Sequence, residues 1–301
     1  MKKFLIKVVV FFLAIALIDV MSGHLFSYLL AHANGGDNFR NNYICDSVAS
    51  DVLVFGSSRA LHHYNPAVLS DSLGMSVYNC GQDGNGIILN YGRFQMIKYR
   101  YTPRIIIYDI MPEYDVMVED DNHKYLGWLR AYYDKDGVSE IFDRTDPIEK
   151  YKMLSQLYRY NSKWIQIISD VIHPMQANGN NGYRPLEGAM DTMKISSRKK
   201  VFNDVFEDPL KLYYMERLMD ISDGTELVFV VSPSWDGIDS AYYAPIIKMC
   251  KERGVLFVDM NHSPKYLHNK SLFKDGAHLN AEGANVFTKD LARIVKKQLS
   301  I

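Results

Sequence analysis

Three short segments of the chain contain residue types that could carry out nucleophilic chemistry. The first is Gly56-Ser57-Ser58-Arg59, which follows an apolar strand and precedes a helix. A serine at such a junction has its hydroxyl at the top of the sheet and its amide at a helix N-terminus, so the helix dipole favours a developing anion. Small hydroxyl side chains also cap helices well. The segment therefore indicates either a nucleophile or a helix cap.

The second segment is a glycine-rich turn, residues 78–86, which reads Tyr-Asn-Cys-Gly-Gln-Asp-Gly-Asn-Gly. Glycines let backbone N–H groups approach a ligand closely and point into one concavity, which suits an oxyanion or a phosphate. The alternative is a loop that needs glycine only for a positive φ. No Gly-Lys-Ser/Thr follows, so the turn does not match the phosphate-binding loop.

The third segment is Asp275-Gly-Ala-His278, just before the last predicted helix. An Asp three residues ahead of a His can hold the imidazole through Nδ1 and leave Nε2 free to act as a base. Read alone, the segment fits a turn former at Asp275 and a surface residue at His278 better than it fits a catalytic pair. The sequence order is more informative, because all three segments fall at the carboxyl edge of the same predicted sheet.

Short apolar strands that alternate with helices predict that sheet. The strands are predicted at 51–55, 75–79, 104–110, 225–231 and 255–259, and helices at 66–73, 87–100, 240–253 and 280–299. Continuous apolar strands indicate a parallel sheet covered on both faces. The fold class is therefore α/β: a three-layer, doubly wound, flavodoxin-like parallel sheet of about five strands.

A long insertion, residues 111–220, separates the third and fourth strands. It contains a predicted helix over 147–172 and a polar loop, Asn178–Gly182, that is expected to be mobile. Because ligands bind at the carboxyl ends of such strands, the insertion is expected to cover or border the Ser58 edge.

With these segments in place, the chain from about Asp51 to Leu299, apart from the central insertion, resembles the SGNH/GDSL hydrolase superfamily, in particular its membrane-anchored branch that acts on cell-envelope polymers. The resemblance implies that Ser58 is the nucleophile of a Gly-x-Ser block and that Asp275 and His278 form an Asp-x-x-His block. It also implies an oxyanion glycine five residues after an Asn, a spacing that Asn79 and Gly84 match.

The third block of that family is missing. A Gly-x-Asn-Asp is expected after the third strand, but residues 108–113 read Tyr-Asp-Ile-Met-Pro-Glu. The oxyanion site would then rest on the Ser58 and Gly84 amides, helped by Asn85 or Gln82. Losing one donor of an oxyanion hole costs on the order of 3 kcal/mol, which predicts a slow enzyme. Arg59 is expected to pair with Asp109, to bind a substrate carboxylate, or to form a helix-surface salt bridge.

The chain begins with an apolar segment. Lys2 and Lys3 precede an uncharged run over 8–18, and the segment from 4 to 30 reaches the roughly 20 residues that cross a bilayer. An uncleaved anchor, a cleaved signal and a buried helix all stay open, although Asp19 within an anchor would have to sit near the far interface. An anchor or a signal would place the N-terminus inside and the catalytic domain in the periplasm or outside the cell.

The domain plan that follows has three parts: 1–30 as anchor or signal, 31–50 as linker, and 51–301 as the SGNH-like domain. Composition limits the remaining options. A formal net charge of −1 gives no positive electrostatic potential that would attract nucleic acid, so nucleic acid is not expected as a partner. Three scattered cysteines do not suit a zinc site or a disulfide framework. His62 and His63 lack acidic or cysteine partners at metal spacing; they either line the site next to Ser58 or, the favoured interpretation, form a solvated helix turn.

The leading interpretation is a serine esterase or O-acyltransferase that acts on an acylated glycan or a small acyl ester. Ser58 would attack the ester carbonyl, His278 would transfer the proton and Asp275 would orient His278, with no metal or organic cofactor required. Acetyl as the acyl group is implied by the resemblance alone. The alternative from another class is a non-catalytic glycan-binding or assembly protein that keeps the fold, and the missing Asn is its support.

Overall fold

The computed structural model describes residues 1–119, 121–172, 179–190, 207–221 and 224–301. These fall into two compact units. The helical unit comprises Met1–Ser47 and Asn122–Ala177, and the sheet unit comprises Val48–Asp121 and Asn178–Ile301. The predicted insertion is therefore divided between the two units.

The sheet unit is built on five parallel strands. They are β1 Val52–Gly56, β2 Val77–Asn79, β3 Ile105–Asp109, β4 Glu226–Val231 and β5 Leu256–Asp259. Their order is β2-β1-β3-β4-β5, and each neighbouring pair is parallel. This is the flavodoxin-like order, so the predicted fold class is confirmed.

The described residues form twelve α-helices. In chain order they are α1 Lys2–Ala31, α2 Gly36–Asp46, α3 Ser58–His63, α4 Pro66–Leu73, α5 Ile87–Lys98, α6 Pro112–Asp115, α7 Ser139–Thr145, α8 Glu149–Lys152, α9 Trp164–Ile172, α10 Pro209–Ile221, α11 Ala244–Arg253 and α12 Ala281–Gln298. Asn65 explains the start of α4 by accepting from the Ala67 N–H at 3.0 Å.

Alternate residues of β1 reach the helices on opposite faces of the sheet. Val52 and Val54 join the core that the sheet shares with α4 and α12. Phe55 instead meets Phe94 of α5, with ring centroids 6.4 Å apart. Because both faces are covered, the strands show the continuous apolar sequence from which they were predicted.

The helical unit begins with α1, which is long and apolar enough to cross a membrane. Near its C-terminal end, Phe26 packs against Tyr160 and Ile167. The segment expected to be a linker, 31–50, contains α2, which buries Asn38, Arg40 and Asn41. The Asn38 amide donates to Asp170 of α9 at 2.8 Å, so this segment is part of a packed unit.

Two further expectations meet the structure differently. The predicted helix 147–172 is broken into α8, a 3₁₀ turn at Tyr158–Tyr160, and α9. In the polar loop, Asn178 lies outside the described residues, while Gly179–Gly182 forms a 3₁₀ turn with Asn180 and Asn181 at positive φ. Its expected mobility stays a prediction.

Cys45, Cys80 and Cys250 are buried free thiols.

Candidate active site

Ser58 is the first residue of α3, at the carboxyl edge of β1. The connection is a sharp turn in which Gly56 has a φ of +139°. A Cβ at Gly56 would lie 2.6 Å from the Asp109 carbonyl oxygen, so only glycine lets β1 and β3 continue side by side into this turn. The turn leaves Ser58 partly exposed while its neighbour Ser57 is buried.

His278 lies beside the Ser58 hydroxyl. The distance from His278 Nε2 to Ser58 Oγ is 2.8 Å, and His278 Nδ1 lies 3.0 Å from both carboxylate oxygens of Asp275. A carboxylate only accepts, so Nδ1 carries the proton and Nε2 accepts from the serine hydroxyl. In this tautomer Nε2 can remove the Ser58 proton.

Asp275 is held in place by the turn over residues 275–279, which also contains His278 and is called the acid–base turn below. Its Oδ1 accepts from the Ala277 and His278 backbone N–H groups at 2.8 and 2.9 Å. Partial burial favours the neutral acid, but the His278 ring and these two amides outweigh it and lower the pKa of Asp275 to about 2. The carboxylate is therefore ionised at neutral pH and able to orient the imidazole.

The glycine-rich turn after β2 is tied through Asn79 to α3, the helix that begins with Ser58. Its amide donates to the Ala60 and Tyr64 carbonyl oxygens at 2.7 and 2.9 Å, and its Oδ1 accepts from the Gly81 N–H. Asn79 therefore has a structural role. Gly84 has a φ of +63°, and a Cβ added there would meet no atom within 4 Å, so this glycine borders open space.

Gln82 and Asn85, the other expected oxyanion helpers, are both buried. Gln82 Oε1 accepts from the Arg93 guanidinium at 3.0 Å, and the Asn85 amide donates to the Asp83 carbonyl at 2.7 Å. These contacts hold the turn in shape. A role in binding the oxyanion stays a prediction for both side chains.

Arg59 lies in the interior, 1% exposed, and this corrects two of the three sequence expectations for it. Its guanidinium donates to the Ser232 carbonyl at 3.1 Å and to the Ile110 carbonyl, and its Nε lies 3.6 Å from Asp109. Burial raises the pKa of Asp109, and the nearby Arg59 charge opposes that rise. Arg59 is thus the expected partner of Asp109 and supports the turn from β1 into α3. Its burial does not fit a substrate ligand or a surface ion pair.

His63 is a buried support of the acid–base turn that the sequence interpretation missed. Its Nε2 accepts from the Leu279 backbone N–H at 3.0 Å, and its Nδ1 donates to Ser232 Oγ at 3.0 Å. Ser232 Oγ then donates to Asp109 at 3.0 Å. Burial, followed by the nearby charges of His278 and Arg59, lowers the pKa of His63 well below its usual range. The interpretation of His63 as a solvated residue is therefore wrong.

His62, in contrast, lies at the edge of the site. Its Nδ1 lies 2.6 Å from the Arg184 carbonyl oxygen and its Nε2 lies 3.1 Å from the Asp83 carboxylate. The centroid of its ring is 5.5 Å from that of His278. Part of the predicted insertion, around Arg184, thus contacts His62, the residue whose ring lies beside His278. No sequence signal paired His62 with residues so far along the chain.

Among the described residues, one group has donor atoms close enough together to hold a metal ion. It consists of His123, Asp146 and Glu149 of the helical unit, whose ligand atoms lie within 4.8 Å of one another. His123 and Asp146 already pair at 2.9 Å, and Lys152 donates to Glu149 at 2.7 Å. These contacts do not satisfy the whole group, because Oε2 of Glu149 is buried without a hydrogen-bond partner among the described residues.

Comparison with known proteins gives matches of fold only. No family model matches the chain. No curated protein matches it either. Three solved structures are similar: a family two carbohydrate esterase from Clostridium thermocellum, a GDSL-like lipase from Parabacteroides merdae and an acetyl xylan esterase from Butyrivibrio proteoclasticus.

These similarities are distant. The identities are 12%, 11% and 8%, the TM-scores are 0.37, 0.36 and 0.37, and the matches cover 83%, 82% and 83% of this chain. They cover 64%, 94% and 64% of the other chains, so this chain spans less than two thirds of both carbohydrate esterases. At such values the likeness carries no argument about activity, which has to come from the side chains of this chain.

Proposed function

We propose that the protein is a serine-dependent esterase that acts on an O-acylated glycan of the cell envelope. The observation that carries the proposal is the continuous contact from Ser58 Oγ to His278 Nε2 at 2.8 Å and from His278 Nδ1 to Asp275 at 3.0 Å. In this arrangement Ser58 is the nucleophile, His278 is the base and Asp275 is the group that orients the base.

The reaction takes place in two displacements. Ser58 Oγ attacks the acyl carbonyl carbon while its proton passes to His278 Nε2, and the amides of Ser58 and Gly84 bind the oxyanion. The tetrahedral intermediate collapses, His278 returns the proton to the leaving sugar oxygen, and the acyl group stays on Ser58. His278 then deprotonates a water that attacks the acyl-enzyme, which releases the carboxylic acid and restores Ser58.

The openness of the site supports a polymeric substrate. The His278 side chain is 22% exposed and that of Asp275 is 53% exposed, and Gly84 borders open space. A substituent on a long chain can reach such a site without threading into a deep cavity. Acetyl as the acyl group follows from the SGNH/GDSL resemblance, as does the assignment of the Gly84 amide to the oxyanion site.

The decisive experiment is labelling with a fluorophosphonate serine probe, followed by mass-spectrometric mapping. Label on Ser58 is expected, and it should be lost in Ser58→Ala. Ser57→Ala is the matched control, because Ser57 is the adjacent hydroxyl and is buried, so this variant should label like the parent. Labelling that persists in Ser58→Ala would contradict the proposed nucleophile.

Two alternatives use the same residues. An O-acyltransferase differs only in the acceptor, because a sugar hydroxyl replaces water in the second displacement, and transfer of label to an added glycan would identify it. A non-catalytic glycan-binding protein is favoured by one observation: residues 108–113, where the family has an oxyanion Asn, contain no Asn. Complementation of a deletion strain by Ser58→Ala at the parental level would support that alternative.

We further propose that α1 is an uncleaved membrane anchor that places its N-terminus inside the cell. The helix has 30 residues, more than the roughly 20 that span a bilayer, and Lys2 and Lys3 precede its apolar part. Packing of Phe26 against Tyr160 supports retention of the helix, because cleavage beyond it would remove part of a core. Sedimentation of full-length protein with membranes after carbonate washing tests the anchor.

A further inference from the structure

Residues 148–172 expose an unusual concentration of large apolar side chains. Outside Met1 and α1, eight such side chains of the described chain lie in this segment, and three lie elsewhere, at Tyr99, Val118 and Ile301. Leu154 is 76% exposed and Ile165 is 75% exposed. Soluble surfaces seldom gather apolar groups in this way without a partner.

Helix α9 gives this surface its direction. Trp164, Ile168 and Ile172 recur every four residues and are exposed, whereas Ile167 and Asp170 are buried within the helical unit. Residues four apart lie on one face of a helix. The Trp164 ring meets Phe26 of the core edge-on at 6.4 Å, and from there Ile168 and Ile172 continue an apolar face that stays exposed. An exposed apolar face is typical of helices that lie in a membrane interface.

The segment is joined to α1 at Asp19. Ser155 Oγ donates to this carboxylate at 2.6 Å, and the backbone N–H groups of Gln156 and Leu157 donate at 2.8 and 3.0 Å. Four residues further along α1, a Cβ on Gly23 would lie 2.3 Å from the Cβ of Gln156. The chain at 155–157 therefore lies directly against α1 over one helical turn.

The length of α1 places that contact relative to a bilayer. A helix rises 1.5 Å per residue, so a hydrocarbon core of about 30 Å takes about 20 residues. Counted from Phe4, the core ends near Gly23. Asp19 would then lie just inside the boundary, where a carboxylate needs protein partners, and residues 155–157 supply them.

Beside this contact is a shallow apolar depression of about 370 Å³. Leu157, Tyr158, Tyr160 and Trp164 are among its lining residues. Tyrosine and tryptophan are enriched at membrane interfaces, because their rings are apolar and their polar atoms stay hydrated. The composition of the depression therefore fits the boundary between lipid headgroups and acyl chains.

We propose that residues 148–172 are a second membrane contact, in which the exposed face of α9 lies in the interface at the C-terminal end of the spanning helix. The occupant of this surface is the lipid bilayer. The proposal rests on the proposed anchoring of α1, because α1 sets the depth of the segment that packs against it.

The test uses full-length protein in liposomes of neutral and anionic phospholipids. An environment-sensitive fluorophore is attached at Ile165→Cys, and the matched control is Asp143→Cys, at an exposed polar position on α7 of the same unit. The native cysteines are buried, which directs the label to the introduced thiol. The probe at 165 should shift to the blue and be quenched several-fold more by shallow spin-labelled lipids than the probe at 143.

The outcomes separate the two proposals. Protein that fails to float with the liposomes would overturn both the anchor and the membrane contact. Protein that floats but shows a water-like probe at 165 would leave the anchor intact and overturn the contact. A blue shift without lipid quenching would also overturn it, because the α9 face would then be covered by protein, such as a second copy of this chain.

Discussion

His63 Nε2 accepts a 3.0 Å hydrogen bond from the backbone N–H of Leu279, the residue that follows His278. A backbone N–H can only donate, so this contact fixes His63 as the neutral ring protonated on Nδ1. One end of α3 therefore carries Ser58, and the other end holds the turn that carries its base. We regard His63 as a positioning residue.

Two substitutions of His63 should separate this role from simple packing. His63→Gln keeps an acceptor near the position of Nε2, whereas His63→Asn keeps only a group near Nδ1 and leaves the Leu279 amide without a partner. We expect His63→Asn to lose about 1–3 kcal/mol of unfolding free energy, the cost of an unsatisfied buried donor. Its kcat should fall about tenfold or more with little change in KM, since 1.4 kcal/mol of misalignment is a factor of ten.

Denaturant unfolding and steady-state kinetics on a small acetyl ester measure both quantities. His63→Gln should recover most of the lost kcat. Equal loss of kcat in the two variants would mean that the contact to Leu279 is not what matters.

Burial of His63 also predicts a pH dependence of stability. Its pKa in the folded protein lies well below the ordinary value of 6.5, so the unfolded chain binds this proton first as the pH falls. The stabilisation is complete above pH 6.5 and is lost on acidification. For this single proton the slope is about 1.4 kcal/mol per pH unit below the unfolded pKa. The difference in unfolding free energy between parent and His63→Gln, followed from pH 7.5 to pH 5, should shrink; a constant difference would contradict a neutral buried ring.

Substitutions in the triad should not be additive. Ser58→Ala and His278→Ala should each lower ester turnover by about 10³-fold or more, and the double variant should fall little further, since either change disables the same unit. Asp275→Asn should be milder, because the nucleophile and the base remain. Thermal unfolding of Ser58→Ala should match the parent, as its hydroxyl faces the open site. Additive losses in the double variant would show that the residues act independently.

Alanine substitutions at Gly84 and at Gly74 test the role of Gly84 in the oxyanion site, with Gly74, at the end of α4, as the matched control. Both have left-handed φ values, +63° and +69°, and a Cβ at either would meet no atom within 4 Å. Alanine at either should cost about 1 kcal/mol of stability through backbone strain alone. Only Gly84→Ala should also lower kcat, by shifting the amide assigned to the oxyanion. Unchanged turnover in Gly84→Ala at the same loss of stability would remove Gly84 from the site.

Local sequence patterns were enough to predict the sheet and the helices that flank it. The strand at 51–55 could be predicted from its apolar character alone. The helix at 66–73 could be predicted from the proline at its start and Gly74 at its end. The three triad residues could be grouped from order alone, because parallel strands bring their carboxyl ends to one edge.

The rest depended on partners distant in the sequence. His63 looks like a surface residue until Ser232 and Leu279 are placed beside it, and no local period reports such a contact. For Arg59, the sequence offered Asp109 as one of three partners and could not choose among them. The polar composition of α2 gave no sign of burial either. Its Asn38 is buried because Asp170, 132 positions later, accepts from it.

The shortness of α3 has a consequence for how the site responds to motion. At six residues the helix is about 9 Å long, and it touches the acid–base turn at both ends, through Ser58 and through His63. Because α3 contacts residues 278 and 279 through its first and last residues, the helix and this turn are linked at two points. We therefore expect a displacement of α3 to carry Ser58 and His278 along together, so that their separation changes less than the distance from either residue to the sheet.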